Sequence, residues 1–188
     1  MRPSRKWLPW LAVAAAPAAA AVLLRYEGRS WFCDCGRITF WTSEAWGAET
    51  SQQLFDPYSL THLLHGFAFA GLLALAAPRL SVGWRFALAV ALESVWEVVE
   101  NSAFVIRRYR EATAALGYTG DTIVNSLGDV VACAAGFLLA RRLGWRRTLV
   151  AFALVEIVLL VWIRDSLLLN VLMLIRPSNA VRAWQAGY

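Results

Sequence analysis

The chain has 188 residues, of which 59% are hydrophobic and only 16% are charged. Soluble domains are less apolar and carry more charge, so composition excludes an ordinary soluble domain and predicts a single all-α membrane domain over residues 1–188. The net charge of +5 does not indicate nucleic-acid binding. The arginines cluster at the ends of apolar runs, where they anchor membrane helices, and no nucleic-acid-binding motif is present.

The apolar runs predict an integral membrane bundle of about five transmembrane helices with a short extramembrane cap. The predicted spans are 7–24, 60–77, 84–106, 122–140 and 148–163, with the cap at 25–59 and a re-entrant or interfacial segment at 166–175. The first run follows Arg2, Arg5 and Lys6 and resembles a signal peptide. It continues directly into Val22-Leu23-Leu24, so we expect a retained helix.

The number of basic residues does not decide which end of the bundle faces the cytoplasm, because each side of a five-span topology holds nine, but their clustering does favour one side. Four of them lie within the short stretch Arg141–Arg147, and the basic N-terminus belongs to the same side of a five-span topology. Because short cytoplasmic loops are enriched in Arg and Lys, we expect a cytoplasmic N-terminus. The protein would then lie in a bacterial inner membrane, with the cap on the periplasmic side.

The third run carries Glu93, Glu97 and Glu100. This i, i+4, i+7 spacing puts the three carboxylates on one face of a helix. Ionisable groups at membrane depth are costly and by default face the protein interior at a functional site. The pattern therefore predicts a buried acidic centre.

Two neighbouring runs carry polar groups at a matching depth. His62 and His65 lie near the start of the second run, and Asn125 and Asp129 near the start of the fourth. With alternating helix directions, these starts and the end of the third run share one side of the membrane, within about 15 Å of the surface. The supporting residues expected around this cavity are Glu93, Asn101, Asp121, Asn125, Arg164 and Asp165.

Three kinds of chemistry suit this set. A divalent metal is the cofactor that the histidines and carboxylates would bind, with ligands expected from His62, His65, Glu97, Glu100 and Asp129. Clustered carboxylates also suit acid–base catalysis, with Glu97, Glu100 and Asp129 as candidates, or a proton or ion path. Alternatively, the histidines hydrogen-bond lipid headgroups or Tyr58, and the glutamates only lock the helices together.

The two cysteines of the predicted cap, Cys33 and Cys35, are separated by one residue. A disulfide between them would close a very small ring, and bridge geometry is demanding. We therefore expect surface or packing thiols more than a redox or metal pair.

Several motifs resemble one family of bacterial multi-pass membrane proteins, the UPF0314 or DUF2585 family. The residues that carry the resemblance are Cys33-Asp34-Cys35-Gly36, Asp56-Pro57-Tyr58, His62-Leu63-Leu64-His65-Gly66, Glu93 to Asn101, Arg108-Tyr109-Arg110, Ala115-Leu116-Gly117-Tyr118, Gly120-Asp121-Thr122, Asn125-Ser126 with Asp129, and Ile163-Arg164-Asp165. It covers about residues 30 to 185 and implies an inner-membrane protein of several spans with no established activity. The chain is more loosely similar to VanZ-like membrane proteins.

Two hypotheses about function follow. In the first, the cavity binds a metal ion or a polar lipid-linked substrate, with membrane lipid as a partner. In the second, the protein is an accessory or assembly subunit of a larger membrane complex, and its buried polar residues are structural. A transporter is less favoured, because the chain is short and shows no internal repeat.

Overall fold

A computed structural model describes residues 6–115 and 117–187. Regular structure in these residues is all helical, apart from one isolated bridge between Trp41 and Phe55. The helices are α1 (Leu8–Tyr26), α2 (Ser59–Ala76), α3 (Val82–Glu100), α4 (Ala103–Ala112), α5 (Ile123–Leu143), α6 (Trp145–Ile163), α7 (Leu167–Ile175) and α8 (Asn179–Gln185). The all-α fold is confirmed. Arg2, Arg5 and Leu116 lie outside the described residues.

Three helices, α1, α2 and α5, are long and apolar enough to cross a membrane. Helices α6 and α7 would supply a fourth span if they are counted together, although their axes are bent by 72°. Helix α3, with three glutamates and an arginine, does not meet the same criterion. The predicted count of about five spans is therefore not confirmed by helix length and composition.

The third predicted run, 84–106, is not one helix. Helix α3 ends at Glu100, and α4 begins at Ala103 after a break at Asn101 and Ser102. The Ser102 side chain caps α4 by accepting a hydrogen bond from the backbone N–H of Val105. Serine before an apolar stretch is an ordinary signal for a helix start. Ser102 therefore marked the break in the sequence, but the continuous apolar run on both sides of it favoured a single helix.

The predicted basic loop Arg141–Arg147 is a junction between two helices. Helix α5 continues to Leu143, and α6 begins at Trp145. Gly144 between them has φ of +75°, a conformation that glycine adopts without strain. The arginines thus lie on the last turn of α5 and the first turn of α6.

Helices α2 and α5 pack closely because glycines face the partner's backbone. A Cβ on Gly66 of α2 would collide with backbone atoms of Cys133, Gly136 and Phe137, and one on Gly136 of α5 would collide with the Leu63 carbonyl. Small residues that allow such close approach are common between membrane helices. This contact fixes the histidine face of α2 beside α5.

Helix α3 completes the core. Phe86, Ala89 and Val90 of α3 pack against Val130 and Phe137 of α5. Helix α1 packs against both, with Ala21 and Leu24 beside Ile123. The polar face of α3 therefore points toward α2 and α5.

Residues 27–58, here called the cap segment, cover the end of the bundle where α2 and α5 begin. Backbone carbonyls of Ser51, Ser30 and Trp31 accept hydrogen bonds from the first N–H groups of α5 and its N-cap. Gly128 of α5 lies so close to the Leu54 carbonyl that a Cβ there would collide with it. The cap segment is thus an integral layer of the fold.

Within the cap segment, Cys33 and Cys35 form a disulfide. The expectation of free thiols is wrong. The intervening residue lets the chain turn back, and the Cys35 N–H also donates to the Cys33 sulfur over 3.1 Å. Cys133 is a free, buried cysteine in α5.

Candidate functional site

The polar face of α3 meets α2 and α5 just below the cap segment. Glu93 and Glu97 are fully buried, and His62 of α2 and Asp129 of α5 are nearly so. Burial of two carboxylates without compensation would be very costly. The partners of each oxygen therefore decide what this site can do.

Glu93 is paired with both histidines. Its Oε1 lies 2.6 Å from His62 Nδ1, and its two oxygens lie 3.1 and 3.0 Å from His65 Nδ1. His65 also stacks edge-on against Trp96 and packs beside Phe69. The deepest of the three glutamates is thus fully engaged in orienting the two imidazoles.

Glu97 is the opposite case. Its Oε1 lies 3.2 Å from His62 Nδ1, but that nitrogen is closer to Glu93, and neither Glu97 oxygen has a hydrogen-bond partner among the described residues. Glu100 Oε1 accepts from the Tyr109 hydroxyl at 2.9 Å, whereas its Oε2 is unpartnered there. Such groups need an explanation.

Asp129 stands on the other side of His62. Its Oδ2 lies 3.8 Å from His62 Nε2, and its buried Oδ1 has no hydrogen-bond partner in the described part of the chain. If His62 Nδ1 donates its proton to Glu93, Nε2 keeps a lone pair. His62 then presents a free nitrogen on the side that faces Asp129.

Two sets of three side chains bring ligand atoms within 4.8 Å of one another: His62, His65 and Glu93, and His62, Glu97 and Glu100. In the first set the ligand atoms are already hydrogen-bonded to each other. In the second set three carboxylate oxygens are unpartnered. The second set, with Asp129 adjacent, is therefore the better cradle for a cation.

A second polar group holds the end of α3. Asn101 donates from Nδ2 to Asp121 Oδ2 at 2.7 Å and accepts at Oδ1 from the Asp121 N–H at 2.7 Å. The Tyr118 hydroxyl donates to Asp121 Oδ1 at 2.9 Å. Burial raises the pKa of Asp121, and the hydrogen bonds from Asn101 and Tyr118 oppose that rise. Asn101 and Asp121 thus fix the C-terminal end of α3, which carries Glu97 and Glu100.

Asp56, absent from the predicted site, performs a similar task for α2. Its carboxylate accepts from the N–H groups of Ser51 at 2.6 Å and Tyr58 at 2.7 Å. Burial raises its pKa, and these backbone hydrogen bonds oppose the rise. Its position before Pro57 and two residues before Tyr58 was the signal for a turn at a helix start.

A cavity of about 770 Å³ lies beside this cluster, although neither Glu93 nor Glu97 lines it. Its polar lining includes His62, His65, Glu100, Asp121, Asp129 and Asp165, and its aromatic lining includes Trp46, Tyr58, Trp96, Tyr109 and Tyr118. This volume is in the range of small-molecule sites. Tyr109 and Tyr118 were missed as site residues, although both lie in motifs that carried the family resemblance.

Of the predicted pair Arg164 and Asp165, only Asp165 lies at the site. Asp165 lines the cavity and lies 3.3 Å from the Tyr58 hydroxyl. Arg164 is exposed, has φ of +54°, and donates to the Trp184 carbonyl at 3.2 Å. It ends α6 and holds α8, so the structure does not bring its side chain to the site.

Asn125 also lies outside the cavity. Its Nδ2 donates to the Gln53 carbonyl at 2.8 Å, and both residues are buried. The amide therefore attaches the cap segment to α5. This is a supporting role, but one that serves the fold and not the ligand atoms.

We expect Asn125→Ala to destabilise the protein by about 1–3 kcal/mol, because the buried Gln53 carbonyl loses a donor. Thermal unfolding in detergent measures this. Asn170→Ala is a suitable control, since its contact with Asp165 is 3.5 Å long and partly exposed. Equal melting temperatures for the two variants would contradict a fastening role for Asn125.

Fold and site together define an all-helical bacterial protein, with several apolar helices compatible with a membrane and a buried cluster of histidine and glutamate. A family model described as "Protein of unknown function (DUF2585)" matches residues 24–187, and the chain belongs to this family. The predicted family resemblance is confirmed.

Curated relatives named "UPF0314 protein" cover nearly the whole chain. The relative from Paracoccus denitrificans is 45% identical over 98% of this chain and 95% of its own. Those from Brucella anthropi and Sphingopyxis alaskensis are 43% and 42% identical, over 98% and 95% of this chain and 94% and 95% of their own. No solved structure matches.

Proposed function

We propose that this chain is a multi-pass protein of the bacterial inner membrane that binds a divalent metal ion between α2 and α3. The observation that carries the proposal is Glu97, a fully buried carboxylate whose two oxygens lack hydrogen-bond partners among the described residues. It lies beside His62 and Glu100, with ligand atoms within 4.8 Å. A cation bound there would give the Glu97 carboxylate the partner that it lacks.

The membrane location is supported by the outward faces of the helices. Large apolar side chains are widely exposed there, as with Val150, Leu154 and Val161 of α6, which are 61%, 56% and 80% exposed. Lipid is the solvent that such surfaces suit. We count α3 as a span because its buried glutamates face the bundle interior, which gives five spans with α6.

The orientation follows from the ends of the helices. The arginines at the α5–α6 junction lie at the opposite end from the site, and arginine-rich junctions favour the cytoplasm. A five-span chain then has a cytoplasmic N-terminus, and the site and cap segment lie in the outer, periplasmic half.

The ligand set constrains the ion. One imidazole with carboxylates suits zinc, manganese or ferrous iron better than metals that prefer thiolates or all-oxygen ligands. His62, Glu97 and Glu100 would bind it directly, with Asp129 as a further ligand. Glu93 and His65 would not contact the ion. Glu93 would instead orient His62 through its hydrogen bond to Nδ1, as the carboxylate partners of metal-bound histidines do.

Metal analysis of the gently purified protein tests the proposal. We expect a stoichiometric divalent ion in the wild type and a loss of metal affinity of about 10- to 100-fold or more in Glu97→Gln. Glu156→Gln is the matched control. Glu156 is also buried, but its carboxylate accepts from Leu167 and Leu168 N–H groups at 2.9 and 3.2 Å.

Equal metal content in wild type and folded Glu97→Gln would overturn the proposal. Absence of metal from the wild type would instead support the second candidate, an accessory subunit of a membrane complex with structural polar residues. The observation that favours this alternative is the complete pairing of Asn101 with Asp121 and of Asn125 with Gln53. Co-purification of a stable partner without metal would be its expected result.

A further inference from the structure

The cavity has an apolar side as well as a polar end. On α3 its lining includes Leu92, Val95, Trp96 and Val99, which recur at helical spacing. Leu92, Val95 and Val99 are also 46%, 61% and 44% exposed on the outside of the bundle. Residues that both line a cavity and face outward mark an opening, so the cavity opens sideways along α3.

Helix α7 forms the other edge of this opening. Leu167, Asn170 and Val171 line the cavity, and Val171 is 43% exposed. Glu156 holds the start of α7 by accepting from two of its N–H groups. Arg108 of α4 holds its end by donating to the Leu174 carbonyl at 2.9 Å. The opening therefore has a fixed frame between α3 and α7.

The lining changes from polar to apolar along the helices. On α3 it runs from Glu100 to Leu92, and on α2 from Thr61 and His62 to Phe69. Eight residues of helix correspond to about 12 Å. In the proposed orientation the polar end faces the outer membrane surface, and the apolar end faces the bilayer interior, which is the polarity of a lipid molecule.

The charges at the polar end of the cavity determine which lipid headgroup can bind there. Glu100, Asp121, Asp129 and Asp165 line it, so these carboxylates alone would repel an anion. An ion held by three protein side chains keeps open coordination positions, which oxygen ligands such as phosphate can fill. The tyrosine hydroxyls at this end already donate to carboxylates, so the ion would carry the binding of the phosphate.

We propose that the cavity binds a phosphate-bearing membrane lipid that enters sideways between α3 and α7. The phosphate binds the metal held by His62, Glu97 and Glu100, and the hydrocarbon chain lies against Phe69, Leu92 and Val95. This inference rests on the proposed metal site and adds the class of ligand. Affinity for the lipid should therefore require both the ion and the open side of the cavity.

Binding of two matched lipids to the full chain in detergent tests this. The probes are phosphatidic acid and the diacylglycerol with the same acyl chains. We expect phosphatidic acid to bind about tenfold more tightly or better, and a chelator to abolish that preference. Val95→Trp should reduce phosphatidic acid binding by a similar factor with unchanged metal content, because the larger ring fills the opening.

Val161→Trp is the control, since Val161 is 80% exposed on α6 and does not line the cavity. Equal binding of the two lipids, or of phosphatidic acid to wild type and Val95→Trp, would overturn the inference while leaving a bound metal intact. Loss of binding in Arg107→Gln without any effect of chelator would also overturn it, by moving the phosphate to the neighbouring cavity that Arg107 lines. Absence of metal from the wild type would instead defeat the proposed function.

Discussion

Gly66→Ala should destabilise the protein by about 1–3 kcal/mol, and Gly66→Val by more, because added atoms in a tight interface force the backbones apart. A Cβ at Gly66 would collide with the Cys133 carbonyl oxygen and the Phe137 nitrogen, which belong to the backbone of α5 and cannot rotate away. Separation of α2 from α5 would also shift His62 relative to Asp129. We therefore expect weaker metal binding in parallel with lower stability.

Gly71 provides the control for this prediction within the same helix. A Cβ at Gly71 meets nothing within 4 Å, so Gly71→Ala should leave stability unchanged or raise it slightly through helix propensity. Thermal unfolding in one detergent compares the variants. If Gly66→Ala and Gly71→Ala have the same melting temperature, the close contact between α2 and α5 does not limit stability.

Spacing along the helices was enough to predict which face of α3 is polar. Glu93, Glu97 and Glu100 share a face because of the helical period, and alternating helix directions place the start of α2 at the same end. The pairing of individual oxygens was beyond that reasoning. Both imidazoles of α2 point at Glu93, so its oxygens have hydrogen-bond partners, whereas those of Glu97 have none among the described residues. The direction of the imidazoles is set by the packing of α2 against α5.

Elements whose positions depend on distant contacts were the hardest to predict. The cap segment is held by backbone hydrogen bonds from the start of α5, and such bonds leave no mark in the side-chain pattern. Arg164 was placed near the site because it ends the fifth predicted span on the same side of the membrane. The left-handed backbone at Arg164 turns its side chain to α8 instead.

Glu93→Ala should cost about 3–5 kcal/mol of stability, as removal of one member of a buried ionic cluster usually does. The carboxylate is fully buried and is the partner of both His62 and His65. Without it, His65 Nδ1 loses its carboxylate acceptor and His62 Nδ1 keeps only the Glu97 carboxylate, at 3.2 Å. Chemical or thermal unfolding of the purified variant, with helix content as the readout, measures the loss.

The simultaneous replacement of Glu93, His62 and His65 by leucine separates stability from function. Apolar replacement of a whole buried polar cluster is often neutral or stabilising, whereas removal of one member is not. We therefore expect the triple variant to regain only part of the stability lost in Glu93→Ala, because Glu97 and Asp129 stay buried without the imidazole beside them. It should also bind no metal, because it lacks His62. A triple variant as unstable as Glu93→Ala would mean that packing, and not the unpaired imidazoles, causes the loss. A triple variant that retains the ion would remove His62 from the ligand set and leave Glu97, Glu100 and Asp129 as its only ligands.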